Sequence, residues 1–309
     1  MKYVTHTIFP GLTDDKKQET QSISMNERRG GKMEKRTVLV TGANGYIGRH
    51  VVKALLDMGN RVIADDLVLD SIDDRAEKIS VPIFSGDENI YEQLGSPDVV
   101  IHMAWRNGFV HNADSHVLDL PAHYTFIKNL LAGGLKHIAV MGTMHEIGYW
   151  EGAIDENTPA NPGSLYGVAK NTLRQLTLQL AKEYDAVCYW IRAYYILGDD
   201  IKSHSIFTKI AQMEAEGKET FPFTSGKNKY DFIQVDELAE QIAHVVNQDE
   251  VNGVINCCSG VPVSLADKVE EYIETHQYKI RPQYGAFPDR PYDSPGVWGN
   301  AEKIKKIMG

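Results

Sequence analysis

Thr37-Val38-Leu39-Val40-Thr41-Gly42-Ala43-Asn44-Gly45-Tyr46-Ile47-Gly48 is the stretch that decides the fold. Five β-branched or apolar residues run into a loop with glycines at 42, 45 and 48, and residues 46–58 then read as a helix. A glycine pattern carries meaning in this strand–loop–helix setting. The turn needs a residue free of Cβ clashes, a pyrophosphate needs close backbone approach, and the helix must pack tightly on its strand. The helix N-terminus then offers N–H groups to the phosphates. Gly42, Asn44, Gly45, Tyr46, Ile47 and Gly48 are therefore expected to hold a dinucleotide.

Strands are expected at residues 61–65, 81–84, 98–104, 137–141 and 186–191, with helices at 115–135 and 165–183. Apolar strands separated by helices indicate a parallel sheet covered on both faces. Beyond Gly198 the pattern loosens into helices at 205–216, 235–246, 264–275 and 301–307, with short strands at 232–234 and 254–257. The expected fold is α/β: a Rossmann doubly wound parallel sheet with a small C-terminal substrate-binding cap. Residues 36–198 would form the dinucleotide-binding domain with the catalytic residues, and 199–309 a mainly substrate-binding region. Residues 1–35 are polar and aperiodic and predict a flexible extension, with Met33 read as the natural start.

The 309 residues are 42% hydrophobic and 24% charged, with a net charge of −10. No basic patch appears, so no nucleic-acid partner is expected. Cys188, Cys257 and Cys258 are odd in number and lack a C-x-x-C spacing, which fits a reducing compartment and no cysteine metal site. No apolar run approaches the roughly 18 residues of a membrane span, and no signal-peptide h-region is expected. A cytoplasmic protein without a membrane partner is expected.

A carboxylate about 20 residues past the glycine loop bonds the adenosine ribose and repels a 2′-phosphate. Asp65-Asp66 stand there with no Arg directly after them. Asp66 is the first candidate and Asp65 the second, so NAD is favoured, with NADP left open. Tyr166-Gly167-Val168-Ala169-Lys170 opens the helix at 165–183. Four residues is about one turn, so Tyr166 and Lys170 share a face. An ammonium beside a phenol stabilises the phenolate and lowers its pKa. Thr143 follows the fifth strand, where its hydroxyl can bond the same substrate oxygen. Together the three make an acid–base arrangement for moving a hydride at a carbinol carbon.

Gly42–Gly48, Asp66, Gly86-Asp87, His102-Met103-Ala104, Thr143, Tyr166, Lys170 and Arg192 together resemble the extended short-chain dehydrogenase/reductases, the NAD-dependent epimerase/dehydratase family. Tyr230-Asp231-Phe232-Ile233-Gln234-Val235-Asp236 resembles that family's R-D-[FY]-I-H-V-x-D segment. Arg290-Pro291-Tyr292-Asp293 resembles its R-x-x-D segment. The resemblance implies that Asp87 contacts adenine with Glu88 beside it, and that Met103 and Ala104 line the cofactor groove. It implies Tyr166 as general acid/base, Lys170 on the nicotinamide ribose and Thr143 on the reacting oxygen. Arg290 and Asp293 would grip a nucleotide-sugar substrate.

Departures from the pattern narrow the reaction. Dehydratases of the family carry T-D-E at the catalytic threonine. Here Thr143-Met144-His145 lacks the acidic pair, and Glu146 comes one residue late. Sugar-nucleotide 4-epimerases carry R-x-F-N after the sixth strand, where this chain has Arg192-Ala193-Tyr194-Tyr195, and Tyr230 replaces an arginine. Gly296-Val297-Trp298-Gly299 resembles endings of 4-keto-6-deoxysugar reductases. The expected activity is therefore NAD(P)-dependent reduction of a 4-keto-(6-deoxy)sugar. A nucleotide-sugar 4-epimerase is the alternative, and a non-catalytic NAD-binding regulator the reading from another class. His102, His111, His116, His123 and His137 lack metal-ligand spacing and read as packing or surface groups; no metal is expected. His145, beside Thr143, is a substrate-contact candidate, as is Tyr195. Leu173, Leu176, Thr177 and Leu180 form a helical stripe that serves either a homodimer or the chain's own sheet.

Overall fold

The apolar stretch 37–41 forms strand β1 (Thr37–Thr41), and Gly42 turns the chain into helix α1 (Gly48–Asp57). Strands β2 (Arg61–Asp65), β3 (Glu77–Ile79), β4 (Val99–His102), β5 (His137–Thr143), β7 (Val187–Ala193) and β11 (Gly253–Cys257) join β1. All pair in parallel, in the order β11-β7-β5-β4-β1-β2-β3. The computed structural model describes residues 35–198, 205–289 and 293–309. The extension expected at residues 1–35 lies outside the described residues up to position 34. No helix among the described residues is long and apolar enough to cross a membrane.

Alternation along the strands builds a core on each face. Val38 and Val40 of β1 and Tyr189 and Ile191 of β7 meet α1 and helix α7 (Val235–Val246). Leu39 and Trp190 point the other way, onto α4 (Leu120–Ala132) and α5 (Leu165–Glu183). Each fully buried side chain of this size contributes about 1.5–3 kcal/mol. Leu173, Thr177 and Leu180 are buried, and both leucines belong to this second core, while Leu176 of the same stripe is half-buried outside it.

Several boundaries differ from expectation. The third strand is β3, not residues 81–84. Val81 N–H donates to Asp65 Oδ1 at 2.8 Å and Ser85 N–H closes a turn onto Pro82. β3 is an edge strand held partly by an Arg61–Glu77 ion pair, so it needs no apolar run. Residues 115–135 split into α3 (Ser115–Leu118) and α4, because Pro121 sits in the first turn of α4. β5 and β7 each run two residues further than expected and pair Thr143 with Ala193 at their ends.

The central sheet also takes a strand from beyond residue 198. β11 pairs with β7, and α7 and α9 (Glu302–Met308) pack on the same face. The cap comprises a sheet ordered β12 (Pro262–Ser264), β10 (Lys229–Gln234), β14 (Gly296–Gly299), β6 (Gly152–Ile154), with β8 (Tyr195–Leu197) also on β10. Helices α6 (Ile206–Ala215) and α8 (Leu265–Thr275) and the pair β9 (Thr220–Pro222) and β13 (Arg281–Gln283) complete it. Its core holds Phe207, Phe221, Phe223, Phe232 and Val269. Asp231, fully buried, ties the cap together by accepting from Ser259 N, Ser259 Oγ, Gly260 N and Gly299 N at 2.6–3.0 Å.

Two predictions follow from the packing at the β1–α1 turn. A Cβ on Gly48 would stand 2.1 Å from Gly42 O, whereas one on Gly45 would stand 3.1 Å from the same atom. Gly48→Ala should cost about 2–4 kcal/mol in urea unfolding and Gly45→Ala about 1 or less. Burial pushes the Asp65 carboxyl from 3.8 up to about 6, opposed by its Val81 hydrogen bond. A carboxyl whose pKa rises on folding favours the fold below its unfolded pKa and loses that contribution as pH passes its folded pKa. Wild-type stability should therefore fall between about pH 4 and 6 relative to Asp65→Asn. The variant should gain up to about 3 kcal/mol at pH 8 and little at pH 4; urea titrations at both pH values measure the difference.

Candidate active site

The C-terminal ends of β1, β2, β4 and β5 converge on one edge of the sheet. Gly42 adopts φ +70°, and a Cβ there would lie 2.7 Å from Ala104 N. The backbone after β4 therefore presses on the glycine loop, and only glycine leaves it room. Asp66 closes the loop: Oδ2 accepts Asn44 N–H at 2.9 Å and Oδ1 accepts Leu67 N–H at 2.7 Å. Asp65 is instead buried with its carboxyl on Val81. The first turn of α1 has no acidic residue and no side-chain cap, so its positive end is uncompensated. These features fit a pyrophosphate: close backbone, a bare helix terminus and a half-buried carboxylate past β2.

Met103 and Ala104 follow β4 and donate their amides to Thr41 Oγ1 at 3.2 and 3.4 Å. Asp87 accepts Asn89 N–H and Gln93 Nε2, which hold its carboxyl below the usual range. Glu88 beside it is exposed. Asn129 of α4 anchors this corner through the Gly86 and Asp87 carbonyls.

Thr143 ends β5 and Tyr166 lies in the first turn of α5, capped by Ser164. Thr143 Oγ1 accepts the His145 amide at 3.3 Å, and the Thr143 hydroxyl also acts on the Tyr166 phenol. Burial pushes Tyr166 up to about 12, with Thr143 pulling the other way and the Glu146 charge adding to the rise. The expected lowering by Lys170 is not met in this state. The Lys170 ammonium lies 6.0 Å from the Tyr166 ring centre and donates to Met141 O at 2.7 Å. Burial also pulls Lys170 itself down to about 7, against the Glu146 charge.

Four rings crowd Tyr166. His111 stacks on it at 5.6 Å and 15°, His116 lies 5.2 Å away, His145 6.1 Å and Trp105 6.2 Å. His145 also meets His111 at 4.6 Å, and burial pulls its imidazole down to about 4. His102 and His123 pack beneath as a buried hydrogen-bonded pair at 2.8 Å, while His137 begins β5 at the opposite edge. Reading His111 and His116 as packing or surface groups missed their place around Tyr166. The one signal available was the clustering of histidines on both sides of Thr143, since ring packing requires no metal-ligand spacing. Trp105, directly after the Met103-Ala104 pair, was missed as well.

Glu146 is fully buried and bound by Trp190 Nε1 at 2.9 Å, Arg192 Nε at 3.0 Å and Arg174 Nε at 3.1 Å. Its carboxylate is thus committed to ion pairs. Arg192 also donates to Asp155 O at 2.8 Å. On the cap side, Tyr195 lies against Tyr230 at 4.4 Å and Phe232 at 5.8 Å, and the charge of Asp293 acts on Tyr195. Since Ala193 pairs with Thr143, Tyr195 stands two residues past Thr143's neighbour. Arg290 lies outside the described residues. A separate cavity of about 230 Å³ in the cap is lined by Leu197, Phe207, Lys268 and Tyr272, among others, and by none of the expected site residues.

Comparisons with known proteins place the chain in a family. A model of the NAD dependent epimerase/dehydratase family matches residues 38–258. A dTDP-6-deoxy-L-talose 4-dehydrogenase (NAD(+)) of Aggregatibacter actinomycetemcomitans is 44% identical over 269 residues, covering 85% of this chain and 98% of its own. The fold resembles a UDP-N-acetylglucosamine 4-epimerase from Methanobrevibacter ruminantium M1 in complex with UDP-N-acetylmuramic acid. It has a TM-score of 0.76 at 20% identity, over 89% of this chain and 92% of that one. It also resembles MoeE5 in complex with UDP-glucuronic acid and NAD, with a TM-score of 0.72 at 22% identity, over 88% and 92%. Gly42, Gly48, Asp66 and the Thr143–Tyr166–Lys170 group thus stand in a chain that belongs to the NAD-dependent epimerase/dehydratase family and is an NAD-dependent enzyme.

Proposed function

We propose that this enzyme modifies a nucleotide sugar, interconverting the C4 hydroxyl and C4 ketone of a 6-deoxyhexose carried on deoxythymidine diphosphate. The observation that carries the reading is the 44% identity to the 4-dehydrogenase over nearly that relative's whole length. Reduction of a 4-keto-6-deoxysugar is the same reaction in reverse, so both directions belong to one site.

Gly42, Asn44, Gly45, Tyr46, Ile47 and Gly48 would hold the pyrophosphate of NAD, Asp66 its adenosine ribose, Asp87 and Glu88 its adenine, and Met103 and Ala104 the groove wall. Bound NAD supplies the two-electron acceptor for the hydrogen on C4. Tyr166 takes the proton of the C4 hydroxyl in oxidation and returns it in reduction. Thr143 bonds that same oxygen, which fixes its position relative to the phenol. Lys170 would steady the phenolate and hold the nicotinamide ribose. His145 lies beside Thr143 with its imidazole held neutral, suited to exchanging hydrogen bonds with sugar hydroxyls. Tyr195 and Asp293, with Arg290, would contact the nucleotide sugar. Elimination of water is not part of this reading, because Glu146 is held by Arg174, Arg192 and Trp190. Arg75, the first arginine after Asp66, is engaged with Asp73 and Asp57, which favours NAD over NADP. A cytoplasmic setting accompanies the reading: all three cysteines are buried free thiols.

The test is absorbance of reduced nicotinamide with dTDP-6-deoxy-L-talose and NAD. Stoichiometric NADH and a 4-keto product are expected. Tyr166→Phe should lower kcat by about 10²–10⁴-fold with the NAD Kd within twofold. Asp66→Asn should weaken NAD by about tenfold while Asp65→Asn leaves it unchanged. Inversion at C4 without net NADH would replace the reading with an epimerase, and inertness toward this substrate would overturn it.

A further inference from the structure

Lys170 has an unusual environment for a group that must carry charge. It is only 4% exposed, and its amine has one hydrogen-bond acceptor among the described residues, Met141 O. A buried ammonium is strongly disfavoured unless other groups replace the lost water. The replacement is an aromatic face: Nζ stands 3.8 Å from the centre of the Trp105 ring. The negative face of an indole attracts a cation without demanding hydrogen-bond geometry.

The indole is itself clamped. Its N–H, which can only donate, meets His116 Nδ1 at 3.1 Å. His116 therefore carries its proton on Nε2, which donates to Val110 O at 3.0 Å. The opposite support is His123, stacked on Trp105 at 4.5 Å and 23°. His123 bonds His102, and His102 Nδ1 lies 2.8 Å from Thr41 Oγ1. Thr41 Oγ1 already accepts the amides of Met103 and Ala104, so it gives its own proton to His102. The clamp thus runs from the last residue of β1, next to the glycine loop, to the ammonium on α5.

We propose that Trp105 is a positioning residue that acts through Lys170, holding its ammonium charged and in place by the indole face. The proposal rests on the reading of Lys170 as part of the catalytic group. The charged and titratable groups around Lys170 are Glu146, which favours its charge, Tyr166, and His102 and His123, whose own imidazoles are pulled down by burial and by Lys170. Removing the indole leaves burial less opposed. Lys170 then loses its proton at lower pH, and the phenolate of Tyr166 loses its neighbour.

The experiment compares wild type with Trp105→Leu and Trp105→Phe, using thermal unfolding to confirm the fold and Trp105→Met in place of the leucine variant if that does not fold. Two readouts are taken: the NAD Kd of the substrate-free protein by calorimetry across pH 6–9, and the pH profile of kcat. With the aliphatic residue, the NAD Kd should rise about three- to tenfold. The alkaline limb of kcat should move about one pH unit toward acid, while KM for the sugar stays within twofold. Trp105→Phe, which keeps a ring face, should recover most of both. An aliphatic variant with unchanged Kd and unchanged limb overturns the proposal. So does a phenylalanine variant as impaired as the aliphatic one, because the N–H to His116 would then be the active feature. The calorimetric arm needs no turnover, so an error in the substrate assignment shows separately as inertness of the wild type.

Discussion

A carboxylate without exposed surface must be neutralised where it stands, and much of this site is arranged around Glu146. Leaving one partner of such a buried group unpaired costs several kcal/mol. Glu146 therefore draws together α5 through Arg174 and β7 through Trp190 and Arg192. Arg192 reaches on to the Asp155 carbonyl after β6. The short turn that carries Glu146 begins directly after Thr143 and includes His145. Fixing the acid thus fixes Thr143 and His145, the two groups proposed to face the substrate. An ion pair that does no chemistry sets the geometry of the groups that do.

Around this anchor, burial outweighs charge pairing at most titratable groups. Tyr166 is pushed up, Lys170, His123 and His145 are pulled down, and burial is the largest cause in each case. The protein thereby favours neutral forms of its site residues before any ligand arrives. Neutral imidazoles and a protonated phenol are groups that exchange hydrogen bonds with sugar hydroxyls rather than repel or trap them. The aromatic face of Trp105, 3.8 Å from the Lys170 ammonium, answers the one charge that the proposed chemistry requires.

Local patterns read well from the sequence, and long-range convergence did not. The strand at 37–41, the helices at 165–183 and 235–246 and the glycine loop follow from short-range periodicity and turn chemistry, and they agree with the structure nearly residue for residue. The Tyr166–Lys170 spacing is likewise a local helical fact. β3 was displaced because an edge strand of charged residues carries no apolar signature, while Val81 and Ile83 gave a false one. The ring collar of His111, His116 and Trp105 was missed, since its members meet through ring packing rather than regular spacing, and histidine clustering was its only signal. Tyr166 was expected to be lowered by Lys170, and spacing was right about their shared helix. It could not show that the ammonium turns to Met141 O and Trp105.

The return of the chain to the central sheet at β11 has a consequence for synthesis. The outer edge of β7 has its partner only from residues 253–257, after most of the cap has been made. During translation the growing chain carries an unpaired strand edge while some sixty intervening residues are still emerging. Such edges invite pairing with other chains. The cap is therefore an internal excursion rather than a removable tail: truncation after β8 would delete β11 together with the cap and expose β7. Shortening this protein calls for splicing across the excursion, so that β11 still reaches its place.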